Sequence, residues 1–241
     1  KDRIGSEIRT HYPRSLAEGM AITAQEARTD LPGRRLAVPA FVHEVVERVA
    51  FEAREDRRLD PQSGVSQRLP ASLLELAFAA AEQRGLLSGE DLPAVRTADI
   101  RAGLPAVTGR IEPDYEGELL GAEKLAAELV RAAVAATFRG LLPDSAGTET
   151  VAWFEAGNVF RIPAGTDAAD LPELLGRVPG LLGAARRAAG TAAATPELLG
   201  STAEFILEGL HATGRIGRSE ELGFTPKETD LPAEPAGRRW N

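Results

Sequence analysis

The sequence predicts a mainly α-helical protein, and three features lead there. Apolar residues recur at three- and four-residue spacing along most of the chain, the pattern of helices that bury one face. Aromatic residues are only 5% of the 241 residues, so Leu, Val and Ala must fill the core, a composition suited to closely packed helices. Runs that alternate apolar and polar side chains are short and few.

The first element is one of those exceptions. Ile8, Thr10 and Tyr12 alternate with Glu7, Arg9 and His11 ahead of Pro13, which reads as a short strand over residues 7–12. Thr23 is a candidate cap for a short helix through Ala27 that stops near Pro32 and Gly33. Pro39 opens a longer helix with Val42, Val45, Val46, Val49 and Ala53 on one stripe, ending in the charged run 54–58 and the turn 60–64. A third helix spans 70–84, with Leu73, Leu74, Ala77, Phe78 and Ala81 inward and Gly85 as its stop. Thr97 is expected to cap a fourth helix through Leu104, next to Pro105. Residues 15–110 thus read as a four-helix unit.

Residues 111–118 look like a linker, followed by a strong helix over 119–141 that carries Leu125, Ala126, Leu129, Val130, Ala133, Val134 and Phe138 on one face. Val151-Ala152-Trp153-Phe154 and Asn158-Val159-Phe160-Arg161-Ile162 flank a turn near Gly157 and predict a small β-hairpin. Helices return over 171–189 and 196–212. Polarity and Pro content rise after Gly217, and 226–241 read as a solvated tail. The units are therefore 1–14, 15–110, 111–225 and 226–241.

Composition excludes several function classes. With no cysteine, disulfides, thiol catalysis and Cys-ligated zinc are ruled out. A net charge of −8 argues against non-specific nucleic-acid binding. No apolar run approaches a membrane span of about 18 residues, and no signal peptide is visible, so the cytosol is the expected compartment. No membrane or nucleic-acid partner is expected. The chain opens at Lys1 rather than Met, and it reads as the C-terminal part of a longer protein.

Candidate chemistry is sparse. His43-Glu44 begins like a zinc-protease helix, but position 47 is Glu where a second His is needed, which leaves a solvated helix edge. Glu112, Asp114, Glu116 and Glu118 surround Tyr115; beside a helix start they suit the helix dipole better than acid–base work. The sequence contains no G-x-x-x-x-G-K-[ST], no G-x-G-x-x-G and no G-x-S-x-G. Two arginines stand out. Arg3 precedes the first strand, and Arg68 heads the third helix, where free N–H groups and a guanidinium can meet a phosphate together. Taken singly, each also reads as an ordinary surface arginine.

Three stretches bear on that choice. They are Asp2-Arg3-Ile4-Gly5-Ser6-Glu7-Ile8-Arg9-Thr10-His11-Tyr12-Pro13, Ala50-Phe51-Glu52-Ala53-Arg54-Glu55-Asp56 and Ser63-Gly64-Val65-Ser66-Gln67-Arg68-Leu69-Pro70. Together they resemble the magnesium-chelatase-like, MoxR-related branch of AAA+ ATPases. Asp114-Tyr115-Glu116-Gly117-Glu118-Leu119-Leu120-Gly121-Ala122-Glu123 and Leu207-Glu208-Gly209-Leu210-His211-Ala212 are similar to the C-terminal helical extension of that group. The resemblance is specific at 1–14 and 50–84 and weaker beyond 125. It implies the last strand of an α/β AAA+ core, a four-helix lid, and then a helical C-terminal domain with a small hairpin. It also implies that Arg3 is the arginine finger acting in trans and that Arg68 is the sensor-2 arginine on the nucleotide phosphates. ATP and Mg²⁺ would be cofactors of the full-length protein, none of them bound by this piece alone. The partners would be further copies in a ring, expected as a hexamer, and a protein that receives the mechanical work. Such relatives include enzymes of metal insertion into porphyrins. Walker A, Walker B and sensor-1 residues do not occur in this sequence. The alternative from another class is a non-catalytic helical interaction or scaffold module. An enhancer-binding regulatory ATPase ranks below both, since no basic helix-turn-helix is evident at the C-terminal end.

Overall fold

The computed structural model describes residues 6–29, 35–143, 145–163, 165–190 and 195–227. Arg3 and most of the expected tail lie outside them. Eleven helices and one two-stranded antiparallel sheet make up the described residues, so the protein is mainly α. No helix among them is long and apolar enough to cross a membrane.

α1 (Leu16–Glu26) starts at Ser15, whose hydroxyl accepts the Glu18 N–H at 3.2 Å. Residues 7–12, expected as a strand, form neither strand nor helix and pair with no strand among the described residues; their side chains are exposed. Thr23 does not cap. It sits inside α1, buried, because its hydroxyl is needed by a carboxylate on the next helix. α2 (Ala40–Glu55) begins after Pro39 and buries the whole expected valine stripe. α3 (Arg68–Ser88) runs past Gly85, which is a packing site and not a stop: a Cβ there would collide with the Pro93 ring. The helix ends at Gly89, whose φ of 78° is the left-handed cap conformation.

α4 (Thr97–Ala102) is capped by Arg96, and the Asp99 carboxylate accepts the Arg96 N–H at 2.8 Å. Thr97 is the first helical residue, and its buried hydroxyl has no partner among the described residues. Pro105 starts α5 (Leu104–Thr108) instead of ending α4, since proline suits a first turn where its missing N–H costs nothing. The segment 15–110 therefore holds five helices where the sequence suggested four.

The expected linker contains α6 (Tyr115–Leu120), with Asp114 accepting the Gly117 N–H at 2.9 Å as its cap. α7 (Ala122–Leu141) carries all the apolar residues assigned to it. The hairpin expected near Gly157 is absent. Residues 148–155 form α8 (Thr148–Glu155), and Phe160 makes a lone antiparallel bridge with Phe224. The predicted helix over 171–189 is split into α9 (Leu171–Leu175) and α10 (Leu181–Ala189) by Gly176 and Gly180. α11 (Pro196–Ala212) follows its Thr195 cap. A hairpin does exist, but later in the chain. β1 (Gly217–Ser219) pairs antiparallel with β2 (Gly223–Thr225).

α2 packs against α1, α3 and α7, and α7 in turn packs against α11. One cluster of buried apolar side chains runs from Phe41 through Leu129 and Phe154 to Phe224, so the segments on either side of residue 110 share a core. Phe41 of α2 and Phe205 of α11 stack with ring centres 4.2 Å apart. Charged pairs cross the same division. Arg96 Nε donates to Glu204 at 2.5 Å and Arg101 to Glu208 at 2.5 Å, while Arg58 reaches Glu128 at 2.6 Å.

Candidate functional site

Arg68 is the first residue of α3 and is exposed. What lies beneath it was not expected. Gln67, just before it, is half-buried and donates through Nε2 to Glu47 Oε1 at 2.7 Å and to Thr23 Oγ1 at 3.0 Å. Glu47 is completely buried in α2, and it also accepts the Thr23 hydroxyl at 2.7 Å. It lies directly under Gly19, where any Cβ would strike the carboxylate, so α1 can approach α2 here only through glycine.

Arg54 completes the arrangement. Its Nε donates to the Val65 carbonyl at 3.0 Å and its Nη2 to Gln67 Oε1 at 3.0 Å. Its guanidinium lies 4.4 Å from the centre of the Tyr12 ring and 5.4 Å from that of Phe51. Burial pushes the Arg54 pKa below the usual arginine value, opposed by the negative field of Glu47. The turn before α3 is thus clamped to α1 and α2 from two sides, and the position of Arg68 is set by that clamp.

Arg68 itself has no hydrogen bond or ion pair among the described residues. Arg54, Arg58, Arg84, Arg96, Arg101 and Arg218 are all engaged. The helix start offers less than the sequence suggested. The Leu69 N–H is spent on the Ser66 carbonyl at 3.1 Å, and Pro70 has none. An anion at this point would be held mainly by the guanidinium. Arg3, the other sequence candidate, lies outside the described residues.

The remaining candidates resolve as structural. His43 is half-buried, its ring edge-on to Phe78 at 6.3 Å, and burial lowers its pKa. The solvated helix edge expected at 43–47 is half wrong, because Glu47 is the buried centre of the clamp. In the acidic stretch, Asp114 is a helix cap and Glu116 and Glu118 lie in the first turn of α6, where the helix dipole favours them. Among the described residues no three His, Cys, Asp or Glu side chains converge as a metal site.

Gln67, Glu47 and Arg54 were missed because their signal is not periodic. Glu47 sits three and seven residues before Ala50 and Arg54, on the flank of the α2 stripe that α1 covers. The small residues Gly19 and Thr23, four apart on α1, were the available hint. Comparison with known proteins finds no matching family model, no similar curated protein and no similar solved structure.

Proposed function

We propose that this chain is the helical C-terminal portion of a magnesium-chelatase-like AAA+ ATPase. α1–α5 would be the lid, and the helices from α6 onward the extension that passes motion to a partner. The observation that carries the reading is Arg68: an exposed guanidinium without a partner among the described residues, heading a helix whose start is fixed by a buried clamp. An exposed guanidinium at a fixed helix start suits a phosphate contact. Phosphoryl transfer requires the charge on the transferred group to be balanced as it moves. Arg68 would supply part of that charge from the lid of its own subunit, and Arg3 would supply it in trans from the adjoining copy in a ring. ATP and Mg²⁺ would be held chiefly by residues upstream of Lys1. The physiological task is remodelling of a partner protein, with metal insertion into a porphyrin as one form of it.

The second reading, a non-catalytic interaction module, draws on Tyr115 and Leu119. They lie one turn apart on α6 and are 75% and 73% exposed.

Reading the coding DNA upstream of the Lys1 codon separates the two. An in-frame G-x-x-x-x-G-K-[ST] with a following acidic pair supports the ATPase. A start codon directly before Lys1 overturns it. In the full-length protein, Arg3→Ala should sharply slow ATP turnover with little loss of ATP affinity. Arg68→Ala should slow turnover and weaken the response to nucleotide. Unchanged turnover in both variants removes the arginine assignments.

A further inference from the structure

A cleft of about 560 Å³ opens on the far end of α11, walled by α4, residues 161–163, Gly165 and the β1–β2 hairpin. Its volume falls in the range of small-molecule sites. Two carboxylates form its floor, Glu204 and Glu208, one turn apart on α11 and 4% and 3% exposed. With His211 they spell an E-x-x-x-E-x-x-H pattern that on a helix face can bind metal. Here cations of the protein's own already fill that role. Arg96 holds Glu204, while Arg101 and Arg218 both hold Glu208.

Counting donors against acceptors decides what the cleft can accept. A guanidinium has five N–H groups and no acceptor. Arg96, only 6% exposed, spends Nε on Glu204 and Nη1 on the Thr166 carbonyl at 3.1 Å. Arg218 spends Nη1 on Glu208, and Arg161 spends Nη1 on the Glu221 carbonyl at 3.2 Å. Their other nitrogens have no partner among the described residues, and Arg161 and Arg218 are exposed. Glu208 accepts at both oxygens and Glu204 at Oε2, while Glu220, exposed in the hairpin turn, is the lining carboxylate without an ion pair among the described residues. The site therefore has unspent donors on three arginines, while each of its two floor carboxylates is already paired with an arginine. Its apolar lining comes from Ile162, Pro163 and the buried ring of Phe224, with the Arg218 guanidinium 5.1 Å from the ring centre, beside the polar His211 and Ser219.

We infer that this cleft binds a small organic oxyanion, a carboxylate or phosphate carried on an apolar body, through Arg96, Arg161 and Arg218. The headgroup would take the free guanidinium N–H groups, and the body would lie against Phe224 and Ile162. The inference is independent of the nucleotide reading of Arg68, because the two arginine sets belong to different ends of the fold.

Calorimetric titration of the 241-residue chain with inorganic phosphate, phenyl phosphate and benzoate tests it. An aromatic probe is expected to bind more tightly than inorganic phosphate, and the better of the two aromatic probes identifies the headgroup. Arg161→Ala and Arg218→Gln should each weaken that probe by about tenfold, as expected for a lost charge-assisted hydrogen bond. Arg161 is exposed, and Glu208 keeps Arg101 in the second variant, so both chains should retain wild-type circular dichroism. Arg68→Ala should leave the affinity unchanged. The proposal is overturned if no probe binds, if inorganic phosphate binds best, or if Arg68→Ala abolishes binding that Arg161→Ala spares.

Discussion

Glu47 carries a full carboxylate into a site with no solvent contact, and only hydrogen bonds from Thr23 and Gln67 compensate it directly. Removing one donor leaves the charge buried and less well satisfied. Gln67→Ala should therefore destabilise the fold by about 1–3 kcal/mol, read as a lower urea midpoint at unchanged slope. A midpoint equal to wild type would show that the clamp does not hold the start of α3. Gly19 has to be glycine for the same reason, since the carboxylate occupies the space of a Cβ. None of this follows from the order of residues. Thr23 looks like a helix cap locally, and the residue that makes it a buried donor is 24 positions away. Arg68 was legible because it falls at a helix start, a local property. Its fixation by Gln67 and Arg54 is tertiary and was not.

Helices with a long apolar stripe were legible as elements. α2 and α7 bury the residues that their periodicity picked out, because a 3.6-residue repeat over four or more turns leaves no alternative. Short apolar runs did not discriminate. Val151, Trp153 and Phe154 are residues that favour strands, but Gly147, with φ of 75°, lets the chain turn into α8, and Phe154 is buried in the common core. The true hairpin is three residues per strand, too short for alternation to show. At this scale the joint between α4 and α11 is the testable feature. Arg96 and Glu204 are 7% and 6% exposed at the side chain, so deleting either strands the other. Arg96→Ala should cost about 3–5 kcal/mol, whereas Arg96→Met with Glu204→Met should come much closer to neutral. Urea unfolding of the two variants measures both. A double variant as unstable as the single would mean that the ion pair itself, and not its desolvation, holds the joint.

Over the whole molecule, stability should depend on pH through two half-buried histidines. Burial lowers the pKa of His43, and it lowers that of His211 against the opposing pull of Glu208. Below about 6.5 the unfolded chain takes up protons that the folded chain resists. Stability should fall as the pH drops from 7 toward 5, until the lower folded values are reached. His43→Gln should flatten part of that slope in thermal melts recorded across the range. An unaltered slope would place the acid sensitivity elsewhere.

The shared core also has a consequence for how the protein is made. α2 is synthesised well before α7 and α11, yet a large part of its apolar face is covered by α7, and Phe41 waits for Phe205. At roughly 5–20 residues per second, α2 is exposed for on the order of ten seconds before α11 has been synthesised. During that interval Phe41 lacks its partner, and until α7 emerges the part of the valine row that α7 covers faces solvent. The nascent chain is then an aggregation-prone client for chaperones that bind apolar segments. It should acquire its final fold only once α11 has been released.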